Sequence, residues 1–186
     1  MILQQVFASD QIGFPVLSLL LLLPLIAAAV LLMLKDDGLA TRIAIWASAA
    51  ELALAGFVWY NFVPGSSDLQ FVEQIGPLPG LGISYHLGVN GISMLFIPAT
   101  AVLSLLAMIY ADASVKENVR GYLAALLAFE AAMMGAFLAV DLLLFWVFFA
   151  IEIVPSYFLI TRWGTGGQRR AAANSYLFLG PPVEPV

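Results

Sequence analysis

Residues 130–155 read EAAMMGAFLAVDLLLFWVFFAIEIVP. Two apolar runs meet at Asp141, with Glu130 in the first and Glu152 in the second, each eleven residues from that aspartate. If the chain folds back at Asp141 as two antiparallel helices, a rise of about 1.5 Å per residue brings both carboxyls roughly 16 Å from the turn. That is close to the middle of a bilayer. An ionisable group there costs about 2.5 kcal/mol or more on insertion scales, so it marks by default a place where ions or protons are handled.

The composition calls for a membrane. Hydrophobic residues make up 62% of the 186-residue chain and charged residues 10%, whereas soluble domains carry about a quarter charged residues. There is no cysteine, which excludes disulfides, thiolate metal ligation and cysteine nucleophiles on this chain. The single histidine, His86, falls in a loop with no HxxH or HExxH partner, so a multi-histidine metal or haem site is not encoded. No basic run interleaved with aromatics points to nucleic acid. The N-terminus lacks the Lys/Arg region of a secretory signal and reads as retained.

Five runs of 19 to 21 residues are long enough to cross: Phe14–Leu34, Ile43–Phe62, Gly91–Tyr110, Tyr122–Val140 and Leu142–Ile160. About 20 residues are needed. The fold class expected is an all-α membrane protein. With alternating spans, Lys35, Arg42, Lys116, Arg120, Arg162, Arg169 and Arg170 all fall on one side, and the opposite connections hold no Lys or Arg. The positive-inside rule then places the N-terminus and the long Val63–Asn90 loop on the periplasmic or lumenal side.

Within the spans, the first contains Pro24 and reads as scaffold. The second carries Glu51 among Ala47, Ser48, Ala50, Ala55 and Gly56, small residues that let another helix approach, so Glu51 is expected to face protein. The long loop is rich in Gly and Pro, with extended pieces at Leu69–Val72 and Ile83–Leu87 that suggest a hairpin. Asn90 reads as the N-cap of the third span, which Pro98 should kink. In the fourth, Glu130 lies beside Ala131, Ala132 and Gly135. In the fifth, Pro155 follows Glu152 by three residues and removes the helical donor of the Ile151 carbonyl. A break beside an acid suggests a hydrated, discontinuous segment. The proton-relay candidates are therefore Glu130, Glu152, Glu51 and Asp141. After Ile160 comes a cytoplasmic turn, then residues 171–180 (AAANSYLFLG), a sixth helix too short to span. The tail 181–186 (PPVEPV) cannot continue it, and the expectation is a truncated, frame-shifted or partial product.

Residues from about Ile83 to Gly180 resemble the subunit-4 family of proton-pumping NAD(P)H:quinone oxidoreductase, complex I or NDH-1, of the NuoM and NdhD type. The matching pieces are Gly88-Val89-Asn90-Gly91-Ile92-Ser93, then Glu130 with Gly135 and Phe137, and Asp141-Leu142-Leu143-Leu144-Phe145. Pro155 with Tyr157-Phe158-Leu159-Ile160, Trp163-Gly164 and Arg170-Ala171-Ala172 complete the series. The resemblance implies the N-terminal part of an antiporter-like membrane subunit that works with other membrane subunits in the bilayer. It implies no cofactor on this chain, with NAD(P)H, FMN, iron–sulfur clusters and quinone handled elsewhere in the complex. The membrane implied is a bacterial inner membrane or a cyanobacterial or plastid thylakoid.

The chain departs from the family at two positions. Ala150 stands where the family has a glutamate five residues before the proline, and Glu152 stands two residues further on. Two residues turn a helix by about 200°, so Glu152 does not occupy the same face. Ser175 lies near the family's lysine. Two other readings stay open: a subunit of a multi-subunit cation/proton antiporter, and a membrane fragment that does not pump.

Overall fold

A computed structural model of the protein describes residues 5–66, 68–76 and 84–178. In chain order the elements are β1 (Gln5–Phe7), α1 (Ala8–Gln11), α2 (Val16–Met33), α3 (Asp37–Asn61), β2 (Leu69–Ile75), β3 (Tyr85–Val89), α4 (Ser93–Ser114), α5 (Val119–Leu138), α6 (Leu142–Trp163) and α7 (Arg169–Phe178). Helices α2 to α6 are long and apolar enough to span a membrane. They correspond to the five runs expected from the sequence, with shifted ends.

The shifts come from polar groups that hydropathy does not register. Helix α3 starts six residues before Ile43 because the Asp36 carboxylate accepts from the backbone N–H groups of Gly38 (2.8 Å) and Leu39 (3.4 Å). A side-chain cap of this kind, with Asp37 in the first turn, starts a helix in polar sequence. Ahead of α4, Asn90 Oδ1 accepts from Ile92 N, Ser93 N and Ser93 Oγ at 2.8–2.9 Å. Ser93 Oγ in turn accepts from Asn90 N at 3.3 Å. That reciprocal arrangement bears out the capping role of Asn90.

The expected break at Pro155 is not found. Helix α6 runs unbroken from Leu142 to Trp163 with Pro155 buried inside it. Next to the proline, the Ser156 hydroxyl donates to the Glu152 carbonyl at 2.8 Å. A single proline removes one helical hydrogen bond, and neighbouring helices and hydroxyls can absorb that loss within a bundle.

At one end of the bundle the three strands form a sheet in the order β1-β2-β3, with β1 parallel and β3 antiparallel to β2. The extended pieces are Leu69–Ile75 and Tyr85–Val89 rather than Leu69–Val72 and Ile83–Leu87; Ile83 lies outside the described residues, as do the tail 181–186 and positions 179 and 180. The register slips between Gln70 and Glu73, where Phe71 takes φ +53° and is fully buried. A bulge of this kind re-aims a side chain, and here it turns the Phe71 ring into the core.

Strand β3 is stitched to the α5–α6 turn. Val140 N donates to the His86 carbonyl at 2.9 Å, Leu87 bridges Ala139, and the Ser84 hydroxyl donates to Asp141 Oδ2 at 2.8 Å. Asp141 Oδ1 meanwhile caps α6 through Leu143 N (2.8 Å) and Leu144 N (3.2 Å). The hairpin therefore bends beside Asp141, as the sequence suggested. Glu73 of β2 caps a different helix. Its two carboxylate oxygens accept from Leu17 N (2.7 Å) and Ser18 N (3.0 Å) in the first turn of α2.

The opposite end gathers the cations. Arg120 pairs with Asp37 at 2.6 Å and donates to the Leu34 carbonyl, tying α5 to the α2–α3 turn. Trp163 Nε1 donates to the Glu117 carbonyl at 2.9 Å. The Lys35 and Lys116 turns, the start of α3 with Arg42, the end of α6 with Arg162 and the start of α7 with Arg169 and Arg170 share this end. Buried apolar residues form two clusters. One, near the sheet, includes Leu17, Ala55, Phe71, Ile97, Met134 and Leu138; the other, near the cationic end, includes Leu31, Ala44, Met108, Leu123 and Leu127.

Candidate functional site

Between those two clusters the core turns polar. Along α3 the buried positions run Ala44, Ser48, Glu51, Ala55; along α4, Ala101, Ser104, Met108; along α5, Leu127, Glu130, Met134. Each triplet or quartet follows the three-to-four residue spacing of one helix face. The helices thus bury an apolar stripe that every one of them interrupts near its middle. The interruptions meet.

Relative exposure is 0% at Ser48 and Glu51, 2% at Glu130 and 7% at Ser104. The carboxyls of Glu51 and Glu130 face one another closely enough to interact directly, and Ser104 adjoins Glu130. Yet Ser48 Oγ, both Glu51 oxygens, Ser104 Oγ and both Glu130 oxygens lack a conventional hydrogen-bond partner. Buried polar atoms are nearly always paired in folded proteins, with protein or with ordered water. Six such atoms in one layer mark a place where protons or water complete the bonding. A cavity of about 220 Å³ between α4 and α5 opens onto the layer, lined by Thr100, Ser104, Glu130 and Met133 among others. Its walls are mostly apolar, from Leu103, Ala107, Leu126, Phe129 and Met133, and Thr100, Ser104 and Glu130 are its polar groups.

The structure brings together two of the four sequence candidates, Glu51 and Glu130. Glu152 is half-buried on α6 and carries no interaction with either. Asp141 sits at the sheet end in the cap already described, where the Ser84 hydroxyl and then the Leu144 N–H hold its carboxyl below the ordinary carboxylate range. Beside it, burial lowers the His86 imidazole, partly opposed by the Asp141 charge. Ser48 and Ser104 escaped the sequence reading as functional groups. Ser48 was legible in retrospect, three residues before Glu51 on the same face; Ser104 had no such signal, since only tertiary packing sets its neighbour.

The fold and this layer define an integral, multi-pass helical membrane protein with ionisable groups in the core of its bundle. No protein-family model matches the chain. It is, however, 32% identical over 165 residues to F(420)H(2) dehydrogenase subunit M of Methanosarcina mazei, covering 89% of this chain and 33% of that protein. It is 36% identical over 169 residues to NAD(P)H-quinone oxidoreductase chain 4 2 of Thermosynechococcus vestitus, covering 89% of this chain and 31% of that protein. Among solved structures it matches respiratory complex I from Thermus thermophilus with bound NADH at a TM-score of 0.73 and 25% identity, over 87% of this chain and 32% of the matched one. The chain is a relative of the subunit M and chain 4 proteins of these oxidoreductases, as the motifs from Ile83 to Gly180 indicated. It spans about a third of the length of the curated relatives it matches.

Proposed function

We propose that this chain serves as a membrane subunit of an NAD(P)H:quinone oxidoreductase of the complex I or NDH-1 type and contributes to proton translocation coupled to electron transport. Its partners in this reading are other membrane subunits of that complex and the surrounding lipid. Nicotinamide, FMN, iron–sulfur and quinone chemistry belongs to the wider complex; with no cysteine, this chain has no thiolate to ligate a cluster. The cationic end faces the cytoplasm or stroma, and the N-terminus and sheet face the periplasm or lumen, in a bacterial inner membrane or a thylakoid.

The observation that carries the proposal is the burial of Glu130 in a polar layer that also holds Glu51, with Glu130 lining a cavity between α4 and α5. Glu130 accepts and releases the translocated proton; the carboxyl is fixed by α5 while water in the cavity reaches it. Glu152, half-buried on α6 outside that layer, carries at most a minor share of the proton path, on a helix with one side open to further subunits. Asp141 anchors the α5–α6 turn that sets their depth. In the assembled complex, Glu130→Gln should abolish most proton pumping while the complex assembles and oxidises its donor. Unchanged pumping by that variant removes Glu130 from the path and leaves the chain a structural component.

A further inference from the structure

We infer that Glu51 and Glu130 form one proton-holding unit, a carboxyl–carboxylate pair bridging α3 and α5; the inference rests on the proton-relay reading above and extends it to a second residue. The two side chains meet in the layer between the apolar clusters, and neither finds a conventional donor in the fold. Two carboxylates in contact, both stripped of water, repel one another and leave four oxygens as acceptors without donors. A single proton between them removes one charge and turns one carboxyl into a donor for the other. The Ser104 hydroxyl adjoins Glu130 in the same layer, and Ser48 lies three residues before Glu51 on the same buried face of α3.

Nothing else charged enters the layer. Helix α2 carries no ionisable side chain. The remaining charged residues of α3 are Asp37 and Arg42 in its first two turns, that of α4 is Asp112 in its last, and that of α5 is Arg120 in its first. Glu152 of α6 does not interact with the pair. Among the described residues no Lys, Arg or His is available to balance a second negative charge there.

A hydronium ion in the cavity gives a proton to the pair, forms one new O–H bond on a carboxyl and departs as water. The pair passes from a charge of −1 to 0, and return of the proton to a water molecule, which leaves as hydronium, restores it. Within the pair, the O–H bond broken on one glutamate is replaced by the bond formed on the other.

The test uses the whole complex in sealed vesicles, with Glu51→Gln, Glu130→Gln and the double variant. Loss of most pumping in each single variant, with the double variant no worse than either, is the expected result, because two groups that act as a unit lose their function once. Infrared difference spectra on hydrogen–deuterium exchange supply a readout independent of turnover: the wild-type complex shows a protonated-carboxyl band that shifts in both single variants. Normal pumping and an unshifted band in Glu51→Gln, with Glu130→Gln defective, overturn the pair and leave the Glu130 reading standing. Losses that add in the double variant also overturn it. Normal pumping in both single variants overturns both readings. If Glu51→Gln prevents assembly, Glu51→Asp keeps a carboxyl and should retain the band; a complex of Glu51→Asp that pumps normally without the band overturns the pair.

Discussion

Glu130 and Glu152 look alike in the sequence, each eleven residues from the same turn, and the structure gives them different surroundings. Helix α5 lies at the centre of the bundle, with 50% of its most apolar stretch buried; helix α6 lies at the edge, with 17% buried. Glu130 consequently enters a polar layer shared by three helices, whereas Glu152 sits half-buried on a helix whose large residues Leu142, Trp146, Phe149, Val154 and Phe158 are exposed. Equal depth is set by the helix rise, but burial is set by which neighbours each helix has. Depth alone does not bring an intramembrane acid into the buried polar layer.

The sharpest way to break this contrast is to compare pumping by Glu130→Gln and Glu152→Gln in the assembled complex. The first should fall by about 10²-fold, the scale on which a positioned proton carrier contributes. The second should stay within about threefold of wild type, as a half-buried acid outside the layer would. Equal losses would erase the distinction between centre and edge.

A second experiment attacks the packing that sets the two helices apart. A Cβ at Gly135 of α5 would collide with the Phe148 ring of α6. Overpacking of this sort costs about 1–3 kcal/mol, so Gly135→Leu should lower the thermal midpoint of the complex in detergent, and an unchanged midpoint would mean the contact is not made. A smaller effect is expected from Glu73→Ala, which removes the acceptor for two N–H groups at the start of α2. The loss should be about 0.5–2 kcal/mol, as for other helix caps, with Glu73→Gln partly restoring it and proton pumping per assembled complex unchanged.

The smallest effect concerns the turn between the two acids. Because the folded-state pKa of Asp141 is depressed, its contribution to stability is fully present above the unfolded aspartate value of about 3.9 and is lost as pH falls through the lower folded value. Acid unfolding of wild type should therefore show a loss in that window that is absent from Asp141→Ala, read by tryptophan fluorescence. The same curve for both proteins would show that the Ser84–Asp141 bond does not hold the turn.

Much of the architecture was legible beforehand, for reasons of scale. A span of about 20 apolar residues and a one-sided distribution of cations are chain-level properties, so the five helices and the shared cationic end followed from hydropathy and charge. Helix ends were less legible: Asp36 lengthened α3 by six residues through hydrogen bonds that an apolar count ignores. The expected break at Pro155 failed because a proline's missing bond is a local deficit that a packed bundle can tolerate.

By itself, the sequence determined that this is a five-span membrane chain with three acids within its apolar runs and a turn at Asp141, since helix period, bilayer thickness and charge sorting act on neighbouring residues. Only the tertiary structure decided which acids meet. Glu51 and Glu130 are 79 positions apart, and their contact depends on the rotation and adjacency of α3 and α5, which come from close packing among helices and have no signature in either helix alone.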